Sequence, residues 1–335
     1  MQNLLDPAIL FFIFGVLAGF AKSNLEIPQA ISRFLSLYLL MALGLKGGFA
    51  LAHSGFNSQI VLSLGAALCM AVIVPLVGYW VLRTFVGGFD AAAIAATYGS
   101  VSAVTFLTAK QYLENQHIAY GGHMAAAMAL MESPAIIMAV VFANKLRQRE
   151  LGRETSVSDS TAARVTTATK PQASLGNILH ESFTDGAQML LLGAMVIGLI
   201  TGDSGKAAMQ PFSGDLFKGM LSFFLLDMGL TAARNMPQLK DKSWLLLAYA
   251  LVGPIVHASL ALGLAWMLDL PSGEAALLMV LAASASYIAV PAVLRYAMPE
   301  ANPTLYFGLS LGLTFPLNIL IGIPVYTHIA TKALS

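Results

Sequence analysis

The sequence predicts an all-α integral membrane protein of ten membrane-spanning helices, arranged as two inverted five-helix repeats. Three observations predict it: an apolar composition, ten apolar segments and a serine motif that occurs twice. The 335 residues are 57% hydrophobic and 10% charged, whereas roughly 25% of residues are charged in an average soluble protein. The net charge of +1 gives no excess of either sign, so nucleic acid is not an expected partner.

Ten apolar segments follow one another, and an upright helix needs about 20 residues to cross a bilayer. The segments are 7–21, 28–45, 58–84, 91–113 and 119–144 in the first half, and 175–201, 214–233, 243–268, 274–297 and 303–330 in the second. A single cysteine excludes an intrachain disulfide. No basic residue precedes the first segment, so we expect no cleaved signal peptide.

The serine motif interrupts the fourth segment of each half, as Ser100-Val101-Ser102 and as Ser284-Ala285-Ser286. Lipid offers no hydrogen-bond partner to an opened backbone, so a helix can break in a membrane only where it lines a protected cavity. Two breaks at matching places predict two broken helices and a transporter's binding site near the membrane midplane.

The two halves also match outside this motif. Five spans per half is an odd number, so the second half is inverted relative to the first. The predicted domains are a first repeat (1–145), a linker (146–174) and a second repeat (175–335). The matched positions are Gly44-Leu45 with Gly229-Leu230, Asp90-Ala91-Ala92 with Glu274-Ala275-Ala276, and Pro134 with Pro316.

The segment from Lys145 to Ser174 has Ser, Thr and charged residues but almost no large apolar ones, which predicts a flexible linker. Positive charge marks the cytoplasmic side of a membrane protein. With this basic linker inside, both termini lie outside the inner (plasma) membrane. Five of the 18 lysines and arginines then lie outside, namely Lys46, Lys110, Lys206, Lys218 and Lys332.

The candidate substrate-binding residues are those of the two breaks. Hydroxyl groups donate and accept hydrogen bonds, and a helix that restarts after a break presents unpaired N–H groups with a partial positive charge. Facing half-helices would therefore suit a small anion. The alternative is that the serines allow close packing or bond to their own backbone carbonyls. The candidates are Ser100, Val101, Ser102, Ser284, Ala285, Ser286 and Tyr287.

Glu132 is the first candidate for binding a coupling cation. A carboxylate deep in a bilayer costs roughly 3 kcal/mol or more, and Pro134 frees a backbone carbonyl nearby that could join it. Thr105 and Asn318 could complete a sodium site near Glu132. The alternative is a protonated or hydrogen-bonded glutamate that only ties helices together. Asp227 is the other intramembrane acid and a second candidate for cation coupling. A structural hydrogen bond or a contact in an oligomer explains it equally well.

Other function classes lack a sequence signal. The histidines form no close metal-ligand spacing, and no glycine-rich phosphate loop followed by lysine is present. The sequence therefore predicts neither an enzyme nor ATP-driven transport, and no cofactor apart from Na⁺. The basic linker could contact anionic lipid or act as a solvated tether.

The chain resembles the sodium-dependent bicarbonate transporter family known best from cyanobacteria. The likeness covers nearly the whole chain in a consistent order. It is carried by Leu43-Gly44-Leu45-Lys46-Gly47-Gly48, Tyr98-Gly99-Ser100-Val101-Ser102 with Thr105, Met131-Glu132-Ser133-Pro134-Ala135 ahead of Val141-Phe142-Ala143-Asn144, Glu181-Ser182, the run from Ala250 to Pro254-Ile255-Val256-His257, Ala283-Ser284-Ala285-Ser286 with Pro291, and Ala301-Asn302-Pro303.

The resemblance implies a homotrimer of ten-span protomers whose core domain, with crossed broken helices, moves against a scaffold as an elevator. It also implies sodium-coupled bicarbonate uptake and inhibition from the cytoplasm by a PII-like protein. Several residues depart from the family pattern and predict a less polar pocket with altered sodium coupling. The departures are Ala103 and Val104 for Gly and Ser, Glu132 for Asp, Ala285 for Ser, Tyr287 for Asp, Ala289 for Ser and Val290 for Gly.

The sequence thus predicts a secondary transporter for a small anion, bicarbonate or a similar carboxylate, driven by sodium. Two alternatives stay open at this point. One is a cation/proton exchanger in which Glu132 takes up and releases protons. The other is a membrane receptor that transports nothing and binds a PII-like signalling protein.

Overall fold

The computed structural model describes residues 6–54, 58–157, 186–240, 242–287 and 289–334, and this part of the chain is helical without any strand. The first half contains α1 (Pro7–Phe20), α2 (Gln29–Ser54), α3 (Ser58–Leu82), α4 (Gly88–Gly99), α5 (Ala103–Asn115) and α6 (Met124–Val157). The second half contains α7 (Gly186–Met209), α8 (Phe217–Asn235), α9 (Trp244–Met267), α10 (Ser272–Ala283) and α11 (Ala289–Ala297). The helical run α12 (Pro303–Ala333) ends the chain and includes π-helical turns at Ser310–Thr314 and Asn318–Gly322.

Seven helical stretches of the described chain are long and apolar enough to cross a membrane. One of them, Met189–Asn235, combines α7 and α8. Two shorter apolar helices, Pro7–Phe20 and Ser272–Ala283, accompany the seven. The protein is therefore a multi-pass helical membrane protein.

Three predicted helix ends were wrong. Helix α7 continues to Met209, beyond the predicted end at residue 201, although its backbone is non-helical at Gly202 (φ 53°, ψ −134°). Helix α2 continues to Ser54, beyond the predicted end at residue 45. Helix α6 continues to Val157, so residues 145–157 of the predicted flexible linker are helical. This stretch is rich in Leu, Arg, Gln and Glu, which favour helix whether or not they face an apolar core. The rest of the linker and residues 175–185 lie outside the described residues.

Two pairs of helices pack through glycines. Helix α1 lies against α8, and α2 lies against α7. A Cβ atom added at Gly229 would overlap the Phe12 carbonyl of α1, and one added at Gly44 would overlap the Leu191 carbonyl of α7. Backbones can approach this closely only where side chains are absent. The two glycines matched in the sequence thus have the same role in two separate helix pairs.

The remaining helices surround the two broken segments. Helix α3 packs on α4 and α6, while α9 packs on α10, and α10 also packs on α12. Every residue of Ala91–Gly99 in α4 is buried, as is every residue of Gly273–Ala283 in α10. Both half-helices are therefore enclosed by protein, which is the condition under which a helix can break at membrane depth.

Polar contacts divide the helix ends into two sets. One set joins the ends of α2 and α7 through His53 and Asp203 (2.6 Å), and residue 6 to the end of α5 through Asp6 and Asn115 (2.9 Å). The other set joins both α6 and α4 to the loop before α12. Its bonds are Arg147 to Glu300 (2.8 Å) and the Asn302 N–H to Asp90 (2.7 Å).

Candidate functional site

The first serine motif breaks its helix as the sequence predicts. Helix α4 ends at Gly99, and Ser100 is extended with φ −93° and ψ 179°. Ser102 is also extended, with φ −102° and ψ 110°, and α5 begins at Ala103. The prediction of a break at Ser100-Val101-Ser102 is confirmed.

The second motif ends its helix in the same way. Helix α10 stops at Ala283, and Ser284 has the extended angles φ −81° and ψ 167°. The chain stays non-helical through Ser286 and Tyr287, and α11 begins at Ala289. The prediction of a second break is therefore also confirmed.

The two breaks are joined directly by hydrogen bonds. The Ser102 N–H donates to the Ser284 hydroxyl oxygen (3.0 Å). The Ser286 N–H donates to the Thr97 carbonyl (2.8 Å). Residues far apart in the sequence thus share a single crossing, which we define as 97–105 and 283–287.

Three of the four motif serines also bond to nearby groups of their own segment. The Ser102 hydroxyl accepts from the Thr105 N–H (3.2 Å) and the Thr105 hydroxyl (2.9 Å), so it caps α5. The Ser284 hydroxyl donates to the Leu281 carbonyl (2.8 Å). The Ser286 hydroxyl accepts from the Val290 N–H (3.3 Å). Local bonding is therefore part of what these serines do, as the alternative interpretation expects.

Several buried polar atoms in the crossing or directly beside it lack a partner among the described residues. They are the hydroxyl oxygens of Thr97, Ser100 and Tyr287 and the side-chain oxygen of Asn318. The Asn318 NH₂ group donates to the Ala283 carbonyl (2.8 Å), which fixes this side chain against the end of α10. Buried polar groups are nearly always hydrogen-bonded, so a group of exceptions points to a binding site.

The other motif positions are buried at the same place. Val101 and Ala285 are 2% and 3% exposed and supply no polar side-chain atom. Tyr287 packs its ring edge-on against Phe315, with ring centroids 5.4 Å apart. Its hydroxyl lies beside Ser102 without a hydrogen bond of ordinary geometry. Tyr287 therefore makes this part of the crossing mostly apolar.

The two intramembrane acids approach from different helices. Glu132 is half-buried on α6, a helix that packs against α4, α10 and α11. Asp227 is 8% exposed on α8, lies beside Ser32 and is within electrostatic range of Tyr287. Asp227 is therefore within electrostatic range of the second break, which the sequence does not indicate.

The candidate cation ligands differ in their surroundings. The Thr105 hydroxyl is bonded to Ser102, whereas the Asn318 oxygen has no partner among the described residues. Within the part of the chain that the structure describes, no cluster of three or more His, Cys, Asp or Glu residues could hold a metal ion. The assignment of a sodium site near Glu132 stays a prediction.

Sequence reasoning missed a buried polar cluster behind the first break. The Tyr98 and Thr314 hydroxyls are 2.6 Å apart, and Thr314 donates to the Ala250 carbonyl (2.8 Å). The Tyr98 ring lies 5.2 Å from that of Tyr249. Comparing the repeats could not find this cluster, because the residue matching Tyr98 is the apolar Ala282. The position of Tyr98 inside the motif was the available signal.

No curated protein matches the chain. The family model of the Na⁺-dependent bicarbonate transporter superfamily matches residues 7–331. This range contains both broken helices, both glycine-packed pairs and both acids. The protein therefore belongs to the Na⁺-dependent bicarbonate transporter superfamily, a family of transporters rather than enzymes.

Proposed function

We propose that the protein is a secondary transporter that takes up bicarbonate, or a similar small carboxylate, with sodium. The substrate binds where the two broken helices cross, held by the Ser-x-Ser residues and adjacent backbone N–H groups. The observation that carries this proposal is the group of unpaired buried oxygens around two breaks that are bonded to each other. Family membership supports sodium as the coupling ion and bicarbonate as the class of substrate.

Anion binding at this site changes the bonds of the crossing. The N–H groups of Ser102 and Ser286 are bonded to protein oxygens, at 3.0 and 2.8 Å. A bound anion takes the place of these oxygens as acceptor, while the hydroxyl of Ser100 donates to it. Because the anion replaces existing bonds of these two N–H groups, the net gain at each of them is modest, about 1 kcal/mol.

The coupling sodium ion lies close to the anion in this proposal. Its ligands are oxygens of Glu132, Thr105 and Asn318, and Asp227 adds negative charge. The unpaired Asn318 oxygen supports this assignment, as does the nearness of Asp227 to Tyr287. A sodium ion at this depth also lowers the cost of burying a carboxylate, since the two charges compensate each other.

The helix pairing supports ten spans in two inverted repeats. In the first pair the opening helix of one half contacts the second helix of the other half, and the second pair has the reverse arrangement. Gly44 and Gly229 hold equivalent places in these pairs. Two repeats related by a two-fold axis exchange roles in this way, and an odd number of spans per repeat makes the pair inverted. The two glycine-packed pairs would form the scaffold of an elevator, and the broken helices would belong to its moving core.

The orientation follows from the positive charges. In the inner (plasma) membrane, both termini would face outside and the linker would face the cytoplasm. The two sets of end contacts fit this arrangement, since each bond joins segments assigned to one side. Impermeant thiol labelling of Thr161→Cys on intact cells tests it. Labelling from outside would contradict the inverted repeat.

A homotrimer and a PII-like cytoplasmic regulator complete the proposal, on family resemblance alone. Cross-linking in native membranes tests the trimer. Pull-down from the same membranes, with and without adenine nucleotides, tests the regulator. The start of the linker is basic in sequence, with Arg147, Arg149 and Arg153, and would be the part that meets such a partner.

The decisive experiment is uptake of labelled bicarbonate into proteoliposomes under an inward sodium gradient. We expect uptake that disappears when potassium replaces sodium. Sodium-driven proton efflux without bicarbonate uptake would favour the cation/proton exchanger. Binding of a PII-like protein without any flux would favour the receptor.

A further inference from the structure

A cavity of about 270 Å³ lies away from the crossing. It opens among the ends of α2, α5 and α7 and the segment before α6. We call it the lysine cavity because of the basic residues in its wall. The charged and phenolic residues that line it are Lys46, His53, Lys110, Glu114, Tyr120 and Lys206.

The lysines of this cavity lie at successive depths. Lys206 is exposed, Lys46 is half-buried and Lys110 is only 7% exposed. The Lys110 ammonium has a carboxylate oxygen of Glu114 at 4.0 Å. The described residues place no carboxylate within ion-pair distance of Lys46 or Lys206. The cavity therefore carries a surplus of positive charge that extends from its mouth to its floor.

Aromatic rings help to keep these ammonium groups in place. The Lys46 nitrogen lies 4.3 Å from the centroid of the Phe217 ring, and the Lys110 nitrogen lies 5.9 Å from that of Tyr120. Rings within about 6 Å attract a cation without neutralising it. Burial and the nearby Glu114 carboxylate raise the pKa of Tyr120 above its usual range, so its hydroxyl stays protonated and donates to Glu114 (2.7 Å).

Helix α5 connects this cavity to the crossing. Ser102 caps the start of α5, and Lys110 lies two turns further along the same helix. At a rise of 1.5 Å per residue, the two residues are about 12 Å apart along the axis. A buried ammonium at this distance attracts an anion toward the start of α5 more strongly than a solvated one, because less water screens it.

We propose that the lysine cavity is a second, entry site for the transported anion, which Lys46 and Lys110 hold before it reaches the crossing. The ligand class is a small monovalent oxyanion such as bicarbonate. A cavity of about 270 Å³ has room for such an ion with several waters, each of which occupies about 30 Å³. This assignment rests on the proposed function, since it concerns the path to the same crossing.

The first test measures bicarbonate uptake kinetics in proteoliposomes for Lys46→Gln and Lys110→Gln. A charged cavity raises association rates by about 10- to 1,000-fold. We expect each variant to raise KM about 3- to 30-fold with little change in maximal rate, and the dependence of KM on ionic strength to weaken. Lys110→Arg, which keeps the charge, should stay near wild type.

The matched control is Lys332→Gln. It removes one charge from the side proposed to face outside, at a residue that is not part of the cavity wall. Its KM should equal that of wild type. Unchanged KM and unchanged salt dependence in both Lys46→Gln and Lys110→Gln would overturn the entry site. A wild type without sodium-dependent uptake would instead contradict the proposed function.

A second test reports the potential in the cavity without relying on transport. In a Cys69→Ser background, Gln210→Cys places a thiol in the cavity wall. We expect added bicarbonate to slow its modification by an anionic methanethiosulfonate. We also expect Lys46→Gln with Lys110→Gln to lower the ratio of anionic to cationic reagent rates at least about tenfold, since cavity potentials reach several kT. A ratio that does not change would refute the proposal even if uptake is observed.

Discussion

The glycine-packed helix pairs and the serine crossing solve the same problem in opposite ways. Both bring backbone against backbone inside an apolar molecule. At Gly44 and Gly229 the approach is made by removing side chains, and a neighbouring carbonyl fills the space. At the crossing the helices open, and the exposed N–H groups of Ser102 and Ser286 find oxygens on the opposite segment.

This difference separates a fixed contact from an exchangeable one. At Gly44 and Gly229 the backbone stays helical and keeps its own hydrogen bonds, so nothing in these contacts can be replaced by a ligand. At the crossing the hydrogen bonds run between segments, and a ligand oxygen can take the place of a protein oxygen. The comparison predicts that damage to the first region lowers stability and damage to the second lowers binding.

The largest effect is expected from Gly44→Leu and Gly229→Leu. Each new side chain would have to occupy the position of a backbone carbonyl on the facing helix, and overpacking costs about 1–3 kcal/mol or more. We expect a large loss of folded protein, measured by size-exclusion chromatography in detergent. Gly219→Leu is the matched control on α8, because a Cβ added there meets nothing within 4 Å. Equal yields for all three variants would contradict the role of these glycines.

The second effect concerns the two acids. Glu132→Gln should abolish sodium coupling, because a neutral amide leaves the buried sodium without its main compensating charge. Asp227→Asn should only weaken it, since in the proposed site Asp227 adds negative charge without being a sodium ligand. The measurement is uptake as a function of sodium at pH 6 and pH 8, which separates sodium coupling from proton coupling. If Glu132→Gln remains as sodium-dependent as wild type, Asp227 becomes the coupling acid.

The sequence predicted the crossing better than its surroundings. The breaks were predictable because Ser-x-Ser interrupts an apolar run twice, whereas the match of Gly44 with Gly229 indicated a repeat but not which helices pair. The nearness of Asp227 to Tyr287 was not predictable, since it depends on how α8 packs and the matching residue in the first half is apolar. The lysine cavity was missed for a similar reason: a sum of charges does not distinguish a buried Lys110 from a solvated one.

A third effect separates substrate binding from local bonding by the serines. Ser102→Ala and Ser286→Ala each remove a buried hydroxyl, worth roughly 1–3 kcal/mol when its partner is left desolvated, or about 5- to 150-fold in affinity. The backbone N–H groups remain, so anion binding should weaken without disappearing. Ser102→Ala should have the larger effect, because its hydroxyl accepts two bonds from Thr105. The measurement is bicarbonate binding by the purified protein.

The matched control for this pair is Ser259→Ala. Its hydroxyl bonds to the Ile255 carbonyl of its own helix (2.8 Å), far from the crossing in sequence. Loss of a helix back-bond alone should leave affinity unchanged. If Ser102→Ala and Ser286→Ala behave like this control, the serines serve packing, and the comparison between exchangeable and fixed contacts fails at the crossing.

The smallest effect is expected at Tyr287. Its hydroxyl lies beside Ser102 without a hydrogen bond of ordinary geometry, so Tyr287→Phe should change anion affinity less than about twofold, well under 1 kcal/mol. Tyr287→Asp replaces the phenol with the acid that the resembling family has at this position. The introduced carboxylate and that of Asp227 would lie near each other, and two such charges repel unless a cation lies between them. We therefore expect Tyr287→Asp to bind sodium several-fold more tightly and to lose activity without it. Sodium titration of uptake in both variants tests this, and an unchanged sodium affinity in Tyr287→Asp would place the coupling ion away from the second break.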